Sequence, residues 1–167
     1  AAGIGKDDVI VIQLPNISEF VSLYFAAATI GAIVSPVAVQ YRTHELSAMF
    51  GIVEPKAFIC GTRMQHNDHL AVVRPLLGNH IKLMTVGPDA PADSIDLDAQ
   101  VAQPELLAAH CAKTTIDADD VFTICWTSGT TGIPKGVPRS HNEWMIVGQS
   151  VMEAGQMKPG TDRKSTR

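Results

Sequence analysis

The stretch DDVIVIQLPNISEFVSLYFAAATIGAIVSPV, residues 7–37, reads as strand, helix and second strand. Val9–Leu14 is a short apolar run that suits a buried strand, and Pro15 ends it. Asn16 then offers a side-chain oxygen to a helix start, with Glu19 three residues on at capping-box spacing. Ile17–Ile30 is apolar nearly all round, which predicts a helix packed on two sides, and Gly31 stops it. Ala32–Val37 reads as the second strand, with Pro36 at or near its edge because proline cannot donate to a ladder.

The same alternation continues outward. Thr43 caps a predicted helix running to about Val53, with Glu45 in its favourable first turn. Ala57–Cys60 is a third strand. Leu70, Val73 and Leu77 share one side of a helix that Pro75 shortens or kinks. Ile81–Val86 is a further strand. This order predicts an α/β fold whose largely parallel sheet is flanked by helices on both faces. Gly87 to about Pro104, with Pro88, Pro91, Pro104 and several aspartates, reads as a surface excursion. Leu106–Cys111 supplies one or two helical turns. Val121–Thr127 mixes β-branched and aromatic residues and is a strand. A glycine-rich loop follows, and Ser140 with Glu143 opens a helix to about Ala154. The expected organisation is a first α/β unit over 1–86, an acidic connecting excursion over 87–118, a strand–loop–helix unit over 119–155, and a disordered or unrelated tail over 156–167.

Composition narrows the class. The chain has 167 residues, 46% hydrophobic and 18% charged, an ordinary globular balance with a net charge of -4. Between Thr85 and Asp120 eight acids face one base, Lys113, so this stretch repels a nucleic-acid backbone, and no basic stripe lies elsewhere. Cys60, Cys111 and Cys125 are odd in number and widely spaced, as expected of buried thiols in a reducing compartment. No run is long and apolar enough for a membrane span, and Ala1–Asp8 lacks a signal-peptide pattern. A cytoplasmic enzyme is the expectation.

The chemistry lies in Thr127-Ser128-Gly129-Thr130-Thr131-Gly132-Ile133-Pro134-Lys135-Gly136. Gly129, Gly132 and Gly136 permit tight turns and let backbone N–H groups face an anion. Ser128, Thr130 and Thr131 add hydroxyl donors, and Lys135 adds a positive charge on a long stem. Polyphosphate oxygens held this way gain charge-assisted hydrogen bonds, each worth roughly 1.5–3 kcal/mol net. The loop is not a Walker A motif, because Ile133 and Pro134 separate Gly132 from Lys135. Nor does it carry the G-x-G-x-x-G of dinucleotide folds. Pro134 argues against a helix starting directly under the phosphates, and Val137 better suits a short strand. The loop is therefore expected to join two neighbouring strands as a flap. On composition alone, a ligand-free surface turn stays open.

Trp126–Gly136, followed by Pro138-Arg139-Ser140-His141, resembles the signature of the AMP-forming acyl and aryl acid ligases, the adenylate-forming superfamily. Leu14-Pro15-Asn16, Gly31-Ala32-Ile33-Val34-Ser35-Pro36, Tyr41-Arg42 and Glu45-Leu46 agree, so the likeness spans about Gly5 to Ala154. The resemblance implies a two-step reaction. A small-molecule carboxylate attacks the α-phosphorus of ATP bound with Mg2+, giving an acyl-adenylate and pyrophosphate. A thiol, commonly that of coenzyme A, then attacks the acyl carbon and releases AMP. By likeness, Thr127, Ser128, Gly129, Thr130, Thr131, Gly132, Lys135 and Gly136 bind the nucleotide phosphates, with Lys135 as electrostatic support for the departing pyrophosphate. No metal ligand is assigned. An adenylating enzyme with another second step, either carrier-protein loading or a luciferase-like oxidation, shares the loop, and a non-catalytic nucleotide-binding remnant is the remaining alternative. Complete members of this family are much longer, so the chain is expected to be an N-terminal fragment with an incomplete active site.

Several residues are read as structural. Ser140 is a helix cap, Arg42 and Glu45 are expected to form a local ion pair, and Trp126 and Trp144 are packing residues. His141 is open between packing, capping and ligand contact, and Arg139 beside it is not assigned. His66 and His69 stand three apart near Asp68, yet no further ligand completes a zinc set. Cys125 precedes Trp126 on a strand, so the two face opposite sides, and no base partners it as a nucleophile.

Overall fold

The structure, a computed structural model, describes residues 2–63, 69–127 and 134–158. Its strands are β1 (Val9–Gln13), β2 (Ile33–Pro36), β3 (Ala57–Gly61), β4 (Lys82–Val86), β5 (Ile95–Asp96), β6 (Val121–Thr127) and β7 (Lys135–Ser140). Among the described residues they form one sheet in the order β5-β4-β3-β1-β2-β6-β7. Every pair is parallel except β6–β7, which is antiparallel. The α/β expectation with a largely parallel sheet therefore holds.

Side-chain alternation along the strands divides the core into two layers. Val11, Phe58, Cys60 and Leu83 point to α2 (Thr43–Val53) and α3 (His69–Leu77), packing with Leu46, Met49, Phe50 and Val73. Ile10, Ile12, Val34, Ile59 and Met84 point the other way, toward α1 (Ser18–Ile30). On that second face, His110 of α4 (Pro104–Cys111) bonds the Ile30 carbonyl at 3.2 Å. There too Trp144 of α5 (His141–Ala154) donates to Thr123 Oγ1 at 2.8 Å. The central strands read as continuous apolar runs because they are covered from both sides.

Several local expectations change. Asn16 does not cap α1. Ile17 N–H bonds the Pro15 carbonyl at 2.8 Å, a tight turn that leaves Asn16 outside the helix, and Ile17 takes the cap position without a side-chain bond. Gly31 ends α1 as expected, at φ 73°, a left-handed conformation that glycine adopts without steric cost. Thr43 is the first residue of α2 and Arg42 is its cap. Glu45 accepts the Arg42 backbone N–H at 3.0 Å, so the expected ion pair is replaced by a main-chain bond. That bond comes first among the interactions that hold the Glu45 carboxyl below its ordinary pKa. The 87–118 excursion contains β5, whose Ile95 and Asp96 pair with Met84 and Thr85. Two residues are too few for a strand pattern to show in sequence. Among the thiols, Cys60 is buried, Cys125 is half-buried, and Cys111 is exposed, contrary to expectation.

Helix α1 packs on one side only within the described residues, since Val21 and Phe25 stand open. Helix α5 likewise exposes Met145, Ile146, Val147, Val151 and Met152. No helix among the described residues is long and apolar enough to cross a membrane.

The mouth of the α2–α3 layer holds polar groups with few partners. Gln13, fully buried, donates to the carbonyls of Ala38 and Tyr41 at 2.7 and 3.1 Å and so pins the chain after β2. Arg42 Nη1 lies 3.4 Å from His69 Nδ1. A guanidinium can only donate, so Nδ1 accepts and a neutral ring carries its proton on Nε2. That buried Nε2 has no hydrogen-bond partner among the described residues. Burial, with the Arg42 charge second, pushes the His69 pKa below its ordinary value. An unfolded chain takes up a proton at this residue below about pH 6.5, which the folded chain resists. Stability from this group is thus complete above that pH and falls as the solution is acidified. The urea midpoint is expected to drop between pH 7.5 and 5.5 by a larger margin in the native chain than in His69→Gln. Equal drops would remove His69 from the account.

Candidate functional site

The sequence-predicted loop leaves the carboxyl end of β6 and returns as β7, where ligands of open α/β sheets collect. The expectation that Val137 belongs to a strand neighbouring β6 holds. Thr127 faces Lys135, Trp126 faces Gly136, and Cys125 faces Val137 across the antiparallel pair. Thr127 Oγ1 donates to the Lys135 carbonyl at 3.4 Å, a long bond at the open end of this hairpin. Ser128, Gly129, Thr130, Thr131, Gly132 and Ile133 lie outside the described residues, as do His66 and Asp68 of the discounted zinc set.

Thr127 and Lys135 are both exposed. None of the ion pairs among the described residues takes the Lys135 ammonium. Gly136 is set by packing. A Cβ built there would meet Ile124 Cγ2 at 2.8 Å, closer than real Cβ contacts, and the Trp126 ring at 3.4 Å.

The base of the hairpin is tied on both sides. Trp126 Nε1 donates to Ser35 Oγ of β2 at 2.8 Å, on the α2–α3 side. Trp144 makes the corresponding bond to Thr123 on the other side. A register irregularity between Val121 and Thr123 lets Phe122 also face α1 and α5. Phe122 meets Tyr24 edge-on at 5.9 Å and stacks on His141 at 4.7 Å. The role of His141 thus falls on the packing side of the open reading. Ser140 caps α5 as expected: its hydroxyl accepts Glu143 N–H at 3.3 Å and its own N–H reaches Glu143 Oε2 at 2.8 Å. Arg139 pairs with Glu143 at 3.0 Å. The Ser140 backbone bond is the main interaction that lowers the Glu143 pKa.

Sequence reading missed the tryptophan bonds. Both indoles were expected to pack, and no local pattern names a partner 91 residues away. Among the described residues no group of three or more His, Cys, Asp or Glu is placed to hold a metal ion.

The family model described as AMP-binding enzyme matches residues 1–164. The chain belongs to the AMP-binding enzyme family. Relatives of this family include the medium-chain fatty-acid–CoA ligase of Escherichia coli, 32% identical over 148 residues that make up 85% of this chain and 25% of that protein. The pyochelin synthase PchD of Pseudomonas aeruginosa is also 32% identical, over 86% of this chain and 26% of its own length. A solved Rhodopseudomonas palustris protein assigned as a long-chain-fatty-acid CoA ligase superposes with a TM-score of 0.70 at 26% identity, covering 93% of this chain and 37% of that one. The chain spans about a quarter of the length of the curated relatives it matches.

Proposed function

We propose that this chain is the front of an ATP-dependent carboxylic acid–CoA ligase, which forms an acyl-adenylate with release of pyrophosphate and then an acyl-CoA thioester with release of AMP. The observation that carries this reading is the β6–β7 hairpin. Its open end presents Thr127 and Lys135, which no ion pair among the described residues takes, at the carboxyl edge of a parallel sheet. Between them the sequence supplies Ser128, Gly129, Thr130, Thr131 and Gly132, with Gly136 completing the run. Hydroxyls, amides and an ammonium suit the β- and γ-phosphates of ATP. Pyrophosphate is the leaving group, so donors around it stabilise charge that grows toward the transition state.

The described residues fit the nucleotide's anionic tail. They offer no carboxylate cluster for a divalent cation. Magnesium, which neutralises phosphate charge when bound, is assigned to the nucleotide, and no described side chain is proposed to hold it. The substrate is taken to be a small carboxylic acid, the thiol that of coenzyme A, and the setting cytoplasmic.

The second reading is an adenylating enzyme with a different acceptor, and the equal identity to PchD, named as a pyochelin synthase and not as a CoA ligase, favours keeping it. The test is acid-dependent exchange of labelled pyrophosphate into ATP by the full-length parent, followed by addition of coenzyme A. Exchange with thioester formation is expected for the parent, and none for the 167-residue chain alone. Exchange without any thioester would move the assignment to the second reading. Robust exchange by the isolated chain would overturn its reading as one part of a larger catalytic site.

A further inference from the structure

The β6–β7 hairpin hangs at one edge of the sheet, with β2 as the only strand between it and the sheet centre. The ladder joining β2 to β6 is registered at Val34–Thr123, four residues before Thr127. Amide directions show why it weakens beyond that point. Ile33 N–H bonds the Asp8 carbonyl and Val37 N–H bonds the Ile12 carbonyl, so odd-numbered amides of β2 face β1. The alternation of strand amides then turns the even-numbered ones toward β6. The next of these after Val34 is Pro36, which has no N–H to give. The half of β6 that carries the loop therefore loses a main-chain donor where it needs one.

A side-chain bond crosses at that level. Trp126 Nε1 donates to Ser35 Oγ at 2.8 Å, and Ser35 is fully buried. The same indole ring comes within 3.4 Å of where a Cβ at Gly136 would stand, with Ile124 Cγ2 nearer at 2.8 Å. One residue thus reaches from β2 to the returning strand and touches both arms of the hairpin. Gly136 stands across the pair from it, and the next pair toward the loop is Thr127 with Lys135.

We propose that Trp126, anchored by Ser35, is a positioning residue that sets the separation and orientation of Thr127 and Lys135 for a polyphosphate. This rests on the reading of the loop as a phosphate binder. Trp144 provides an internal control. Its indole makes a bond of the same kind and length to the same strand, at Thr123, away from the open end. A purely structural role would make the two tryptophans equivalent.

The experiment measures inorganic pyrophosphate binding to the 167-residue chain by calorimetry, with urea midpoints recorded for every variant. Ser35→Ala and Trp126→Phe are each expected to weaken pyrophosphate binding about fivefold, the net worth of one neutral hydrogen bond. The double variant should be no weaker than either single one, because both remove the same bond. Trp144→Phe should lower the urea midpoint and leave the affinity unchanged. Native affinity in Ser35→Ala and Trp126→Phe, or an equal loss in Trp144→Phe, overturns the positioning role while the loop reading stands. No pyrophosphate binding by the native chain overturns the loop reading, and the positioning role with it.

Discussion

Replacing Lys135 by alanine in the full-length parent is expected to slow acid-dependent pyrophosphate exchange by about 10²–10³-fold, or about 3–4 kcal/mol of transition-state stabilisation. Lys135 begins β7, directly across from Thr127, and its side chain is exposed. It takes part in none of the ion pairs among the described residues. Folding should scarcely register the change, because truncating an exposed surface side chain alters stability by roughly 0.5 kcal/mol or less. The combination is diagnostic. Exchange falls, the urea midpoint stays, and Lys135→Arg restores only part of the rate, since a planar guanidinium does not reproduce a compact ammonium. Undiminished exchange in Lys135→Ala would remove the residue from the reaction.

Phe58→Ala should be the most damaging single substitution to the fold, at about 3–5 kcal/mol. Phe58 is fully buried on β3, registered between Val11 of β1 and Leu83 of β4. Its ring meets Phe50 of α2 at 5.6 Å, near edge-on, a geometry that adds to the burial itself. Truncation leaves a void between the sheet and α2 that rigid strands cannot close. Against a total stability of roughly 5–15 kcal/mol, the loss is a large fraction. Phe58→Leu, which keeps most of the volume, should cost far less. The readout is the urea midpoint of the three proteins, and a midpoint for Phe58→Ala within error of the native one would refute the assigned role of this layer.

Much of the fold was legible because it is local. Val121–Thr127 appears with the bounds that residue type indicates, and α2 ends at Val53 as expected. The capping box at Ser140 is likewise a relation between residues three apart. Expectations failed where a neighbour in space, or one residue of backbone geometry, intervened. A tight turn at Pro15–Ile17 displaced Asn16 from the helix start. β5 formed because β4 offered an edge to Ile95 and Asp96, which no two-residue pattern announces. Arg42 turned its guanidinium to His69 on another helix and left Glu45 to its backbone.

By itself the sequence determined the alternation of strands and helices and the chemical character of the loop. Both depend on residue type and spacing within a few positions. The tertiary structure decided which strand stands beside which. That order alone places Ser35 under Trp126, makes Gly136 a packing requirement, and buries His69 beside a cation. These contacts join residues up to 91 positions apart. Hydrogen bonding and close packing act over a few ångströms of space, and a pattern along the chain carries no record of that distance until the sheet has assembled.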